Sequence, residues 1–301
     1  MGLSESKNVG EIIGDLRDGK DLGDTLEDVV EYLSRFSGAT FVIKISGDLV
    51  FDIEVLESML EDMILLNENA KINIVIVHGA RKSIDNLMDK YEQEPTFRNG
   101  LRITDEETIP LVVSAYQQAN HEIVWRANSK ARGNRAIGLS GITGNLFHAE
   151  RKGEELGRVG EIVDVNEGIV KTLLDNDYIP VVYPLGVNEN GDQLNLNSDE
   201  GAGKLASALS ADKYIVLTNV KGILRDVEDE ESLISELGYE EAVEMIEDQD
   251  IIGGHMEPKV DACLEALEGG VDRAHIIKAE RHTLLEEVLT SEGIGTMITR
   301  E

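Results

Sequence analysis

The sequence predicts an α/β protein built on an open, mainly parallel sheet. Three stretches carry that expectation: FVIKISGD at 41–48, INIVIVHGARKSID at 72–85 and YIVLTNVKGIL at 214–224. Each runs an apolar, β-branched strand into a turn, and the first two continue into an amphipathic helical pattern. Strand, glycine turn and helix in repetition give parallel strands joined by crossovers, with ligands beyond the carboxyl ends of the strands. The length of 301 residues suits one large α/β unit or two lobes sharing a cleft.

Residues 1–20 carry a short apolar pattern, Val9, Ile12, Ile13 and Leu16, closed by Gly19. A second pattern opens at Asp24, with Glu27 three positions on as a capping signature, and runs through Leu26, Val29, Val30, Leu33 and Phe36. The expectation is an N-terminal helical arm over 1–39, its apolar stripe packed on its own domain or on a neighbouring subunit. The strand at 41–48 ends in Lys44, Ser46 and Gly47, and a helix is expected from Val50 to Leu66. Such a junction brings a cation, free backbone N–H groups and a helix dipole together, a recurrent way to hold phosphate; a solvated strand-end lysine is the plainer reading.

The next strand ends at His78-Gly79-Ala80-Arg81, with a helix from Ser83 through Met88. His78 reads as a satisfied strand-end histidine in preference to a catalytic base, because no partner stands at a defined spacing. FRNGLRITD, 97–105, reads as a loop whose Arg102 offers a guanidinium fork to a substrate carboxylate, or else makes a structural ion pair. A helix over about 108–126, a strand at 136–142, short strands at 146–149, a helix after 163–166 and a buried strand at 178–186 follow. The polar turn at 187–191 marks the boundary between lobes 40–186 and 187–301.

In the second half, Asn195, Asn197 and Asp199 alternate at a strand end and share one side before a helix carrying Ala202, Leu205, Ala206 and Leu209. Turn and N-cap chemistry is the bland account of these residues, but three acceptors are more than a cap needs. GAGK at 201–204 fails as a phosphate-binding Walker loop, since Ser198 stands where the earlier glycine would fall and Leu205 follows the lysine. IIGGHMEPKV, 251–260, supplies Gly253, Gly254 and a second conspicuous cation, Lys259, at a helix start. Strands at 274–277 and 295–299 close the chain. No metal site held by the protein's own side chains is read from the spacing.

Asp and Glu number 59 against 28 Lys and Arg, a formal charge of −31, which disfavours nucleic acid and anionic membranes as partners. The acid is spread through apolar-periodic segments, so it reads as solvation in a high-salt cytoplasm and not as disorder. One cysteine, Cys263, rules out an internal disulfide and reads as a small buried hydrophobe. No apolar run approaches the ~20 residues of a membrane span, and no signal-peptide core follows the N-terminus; a cytoplasmic protein is expected.

Two strand-end cations from opposite halves, Lys44 and Lys259, with glycine turns and one acidic organiser, Asp199, are what phosphoryl transfer needs. With KISG, HGARK, NGLRIT, GLSG, IPVVYPLG, NLNSD, GGHMEPKV and GIGTMI in collinear order over about 40–301, the chain resembles the amino acid kinase family, most closely its N-acetylglutamate kinase branch. The resemblance implies that family's fold, with helices on both faces of the sheet and two lobes around one cleft. It implies phosphorylation of N-acetyl-L-glutamate by ATP and Mg2+ to an acyl phosphate in arginine biosynthesis. Lys44 and Lys259 would straddle the phosphoryl group and Asp199 would hold both. Gly47, Gly79 and Ala80 would cradle phosphate through backbone N–H groups. Arg102, Asn195 and Asn197 would grip the substrate, and Thr218, Asn219 and Gly222 belong to the nucleotide lobe. The terminal segment and N-terminal arm resemble the arginine-inhibited hexameric branch, placing His282, Glu292 and Gly293 at an arginine effector site in a homo-oligomer, dimer or hexamer. Departures from the family pattern are Ala80 and Arg81 in the second glycine turn, Asn219 where an aspartate is usual, and Ile142-Thr143 after GLSG. HGARKSID also resembles the kinase-like domain of N-acetylglutamate synthases, whose acetyltransferase domain would have to follow residue 301. Two alternatives accompany the kinase: a weak or inactive kinase-fold protein that binds arginine as a regulatory subunit, and a kinase for a glutamate or aminoadipate linked to a carrier protein.

Overall fold

The computed structural model describes residues 34–300 other than 99, 132, 134, 227–228, 248–251 and 290–293. The arm expected over 1–39 lies outside the described residues up to residue 33, as do Glu292 and Gly293.

From β1 (Thr40–Ile45) the chain turns through a short 3-10 segment, Leu49–Phe51, into α1 (Ile53–Ala70), then β2 (Asn73–His78) and α2 (Arg81–Lys90). A hairpin of β3 (Phe97–Arg98) and β4 (Leu101–Arg102) precedes α3 (Ile109–Lys130) and β5 (Ala136–Ser140). Next come β6 (Phe147–Arg151), β7 (Gly160–Val165), α4 (Gly168–Leu174), β8 (Ile179–Tyr183), β9 (Leu185–Val187) and β10 (Gln193–Asn195). The remainder comprises α5 (Ser198–Leu209), β11 (Lys213–Thr218), β12 (Glu236–Gly238), α6 (Tyr239–Glu247), α7 (Glu257–Glu268), β13 (Arg273–Lys278), α8 (Thr283–Leu289) and β14 (Thr296–Thr299).

The central sheet has eight strands in the order β12-β14-β13-β11-β1-β2-β8-β5. Every neighbouring pair is parallel except β13–β14. Strand alternation explains how both faces are covered. Phe41, Ile43 and Ile45 of β1 join a core with Leu56, Met59 and Met63 of α1 and Val112 and Ile123 of α3. Val42 faces the other way, into a core with Leu205 of α5, Cys263 of α7 and Val216 of β11. Lys44 shares the parity of Val42 and so points to the α5 side, whereas His78 shares that of Ile74 and Ile76 and points to the α3 side. From β1 the chain proceeds to β2 on one side, while the strands of the second half extend from β11 on the other. That divergence opens a crevice at the carboxyl ends of β1, β2 and β11.

A second, four-stranded sheet, β10-β9-β6-β7, flanks the first, and the polar turn at 187–191 lies between its antiparallel strands β9 and β10. The helix begins at Ile53 and not Val50, because the Asp52 carboxylate accepts the Val55 N–H at 3.2 Å and caps it there. FRNGLRITD is a hairpin in place of a loop: Phe97 pairs with Arg102, and Gly100 takes φ +75° in the turn. Among the described residues no helix is long and apolar enough to cross a membrane.

Candidate active site

Lys44, next to last in β1, is 2% exposed. Its Nζ lies 2.7 Å from Oδ1 of Asp199, in the first turn of α5, and 3.3 Å from the Ser46 hydroxyl. Lys259, in the first turn of α7, reaches the other carboxylate oxygen of Asp199 at 3.4 Å. One carboxylate therefore binds two ammonium groups from opposite halves of the chain. Burial pushes the Asp199 carboxyl up, but the two lysines outweigh it and hold the group below its usual range, so it stays ionised. Burial draws the Lys44 ammonium down; Asp199 opposes this, and Lys259 adds to the fall. The trio carries one net positive charge at the floor of a cleft of about 700 Å³.

The glycine turns after β1 and β2 abut. A Cβ on Gly47 would lie 2.6 Å from the Arg81 backbone nitrogen and 2.8 Å from that of Ala80, so only glycine permits this approach. Among the described residues, the N–H groups of Gly47, Ala80 and Arg81 find no backbone acceptor outside regular elements, and no side chain caps α2. The amino ends of α2, α5 and α7 all contribute residues to the cleft wall, which favours an anion there. Of the residues singled out from the sequence, Lys44, Asp199, Lys259, Gly47, Gly79, Ala80, Arg102, Asn195, Asn197, Thr218, Asn219 and Gly222 line this one cleft.

A family model for the amino acid kinase family matches residues 39–278. The chain belongs to the amino acid kinase family. An acetylglutamate kinase of Petrotoga mobilis is 40% identical over 282 residues, covering 92% of this chain and 93% of its own length. One of Methanocaldococcus jannaschii is 42% identical over 290 residues, covering 92% and 95%. Among solved structures, N-acetylglutamate synthase of Neisseria gonorrhoeae complexed with coenzyme A and N-acetyl-glutamate has a TM-score of 0.78 at 27% identity over 94% of this chain. The same synthase complexed with coenzyme A and L-arginine matches with the same score. The chain spans 64% of that protein's length in the first case and 66% in the second.

Within this family's pattern the departures have physical readings. Ala80 stands at φ −141°, so its Cβ meets none of the strain a left-handed turn would impose. Arg81 places Nη1 3.1 Å from Nε2 of His255 and its guanidinium 5.5 Å from the centre of the Phe97 ring. Arg102 makes the ion pair that was its plainer reading, Nη2 to Asp85 at 2.5 Å, yet is buried against Phe97 and still lines the cleft. Asn197 caps α5 by accepting the Asp199 N–H at 2.8 Å, while Asn195 donates to the Thr104 hydroxyl at 3.2 Å. His282 is not among the cleft residues; its Nδ1 is 2.9 Å from Asp62 on α1. Phe97, Tyr116, Ser198 and His255 line the cleft without having been singled out. Only His255 had a signal, its place between Gly254 and Lys259.

Proposed function

We infer that the protein transfers the γ-phosphoryl group of ATP to the side-chain carboxylate of N-acetyl-L-glutamate, giving an acyl phosphate and ADP, in arginine biosynthesis. The observation that carries this reading is the single carboxylate of Asp199 holding Lys44 and Lys259 at the floor of the cleft. In phosphoryl transfer the protein's task is positioning and charge stabilisation, because the charge spreads over three equatorial oxygens. Lys44 and Lys259 would take those oxygens. The N–H groups around Gly47 and Ala80 would hold oxygens of the transferring phosphoryl group and of the β-phosphate beside it. A substrate carboxylate oxygen forms the new bond to phosphorus as the bridging bond to ADP breaks. No general base is required, since that carboxylate is ionised at neutral pH.

Arg102 and Asn195 would orient the amino-acid substrate, with Asn197 acting through α5. Thr218, Asn219 and Gly222 adjoin the apolar side chains Val220, Ile223, Leu224 and Met256 in the cleft wall, a surface suited to a nucleobase. Among the described residues no three His, Cys, Asp or Glu side chains are grouped to hold a metal. A Mg2+ ion held mostly by nucleotide phosphates and water, with Asp48 within the same cleft, fits this donor set. It would neutralise phosphate charge. The 40–186 half would thus serve the amino-acid substrate and the 187–301 half the nucleotide, in the cytoplasm. Arginine, with His282, Glu292 and Gly293 as its site, is the proposed feedback effector of a homo-oligomer.

ADP release from MgATP and N-acetylglutamate in molar KCl, with hydroxylamine trapping the acyl phosphate, tests the reaction. Turnover is expected, with Lys44→Ala reducing kcat by at least about a hundredfold. Folded protein without turnover overturns the reading.

A further inference from the structure

His78 closes β2 with no exposed surface, its ring centre 6.2 Å from that of Tyr116 and 6.1 Å from that of Tyr183. Its two nitrogens have different partners. Nδ1 lies 3.1 Å from the Gly79 carbonyl oxygen, which can only accept, so Nδ1 carries the proton and donates. Nε2 is then a lone pair, and the Asn120 side-chain amide donates to it at 3.1 Å while also donating to the Val181 carbonyl at 2.8 Å. Asn120 is itself confined, since a Cβ on Gly138 would lie 2.0 Å from its Oδ1. A chain of fixed hydrogen bonds thus runs from β8 through α3 to the turn after β2. With its lone pair taken, the imidazole is not a general base.

The Gly79 carbonyl belongs to the same planar peptide as the Ala80 N–H, and in a trans peptide the two point in opposite directions. Anchoring the oxygen on His78 turns the N–H away from the ring, toward Gly47 and the cleft. We propose that His78 is a positioning residue for phosphoryl transfer: its Nδ1–H, held by Asn120, aims the Ala80 N–H at the transferring phosphate. The proposal rests on the Gly47–Ala80 turn being the phosphate cradle. Burial, which lowers the imidazole to about pKa 4, keeps the ring in this neutral form at working pH.

The test exploits the shapes of two amides. Asn at position 78 places its side-chain nitrogen near the site of Nδ1, and Gln places its own near that of Nε2. His78→Phe keeps the ring but loses both bonds and is expected to lower kcat by about ten- to a hundredfold, with KM for N-acetylglutamate unchanged. His78→Asn recovers part of that loss and exceeds His78→Gln by at least about threefold in kcat. Equal kcat for the Asn and Gln variants, both shown to be folded, overturns the proposal. If the variants do not fold, the 15N spectrum of histidine-labelled native protein decides: a proton on Nδ1 is required, and one on Nε2 overturns it. Gly47→Ala separates the two ideas. Undiminished activity there removes the cradle itself, whereas lost activity beside equal Asn and Gln variants removes only the role of His78.

Discussion

Buried Lys44, half-buried Lys259 and one buried carboxylate form a trio whose charges cannot be removed singly. Taking Asp199 away would leave two ammonium groups with no counter-ion in a buried site, a loss of about 3–5 kcal/mol by analogy with broken buried pairs. The arrangement is therefore held for what binds above it more than for stability. His78 illustrates the reverse case, a titratable group kept neutral. Its imidazole falls from the ordinary 6.5 to about 4, burial being the cause and the bond to Gly79 opposing it. The unfolded chain takes up a proton below about pH 6.5 and the folded chain only near pH 4, so the unfolded state binds more protons between these values. Stability from this group is complete above about pH 6.5 and is lost as pH falls toward 4, to a total of about 3 kcal/mol. Denaturant unfolding at constant high salt should show the advantage of native protein over His78→Asn shrinking by about 2–3 kcal/mol from pH 7.5 to 4.5. A pH-independent difference would show that the histidine is not buried as a neutral ring.

The elements meet at turns whose side chains belong to different halves. Arg81, the first residue of α2, is exposed, yet joins the Phe97 hairpin on one side and His255 before α7 on the other. An exposed cation–π contact and a charge-assisted hydrogen bond open to water are each worth about 1 kcal/mol or less. Arg81→Ala should therefore lower kcat/KM for ATP by about three- to tenfold in steady-state assays; a thousandfold fall would instead place this guanidinium on the reacting phosphate. The strand-turn-helix units around Lys44 and His78 were legible because alternation of apolar residues and glycine position are local signals. Sheet order was not, since β1 pairs with β11 across some 170 residues and nothing local records it. The hairpin does have a local signal, Asn99-Gly100, but only two residues on each side of it pair as strands, too few to show an alternating pattern. The Lys44, Asp199 and Lys259 trio was reached through the ensemble of motifs; spacing alone leaves each an ordinary strand-end or helix-start charge. Phe97 and Tyr116 enter the site only through the way the hairpin and α3 pack, which no local pattern announces. Arg102 carried two readings from the sequence, and the fold lets it satisfy both, pairing with Asp85 while facing the cleft.

At the scale of the whole molecule, a net charge of −31 surrounds a cleft whose floor is positive. ATP with its phosphates must approach a like-charged protein, and the exposed carboxylates repel one another in the folded state. The ion pairs involving Glu106, Lys171 and Arg225 have at least one well-exposed partner, so they offset little of this repulsion. Salt acts on both problems because the screening length falls to about 3 Å at 1 M, shorter than most separations between surface charges but comparable with the contacts in the floor of the cleft. The trio at Asp199 is also shielded from ions by burial, so molar salt should relieve the surface without dissolving the site. Raising KCl from 0.05 to 2 M is expected to increase Tm by at least several degrees. Over the same range kcat/KM for ATP should rise, with kcat changing less than KM, because the benefit lies in encounter and folding more than in the chemical step. Circular dichroism melts and initial rates at matched pH check both. A Tm indifferent to KCl would mean that the acidic surface is not an adaptation to high salt, and a kcat/KM that falls steadily with salt would mean that the local positive field of the cleft, and not the charge of the whole molecule, governs the approach of ATP.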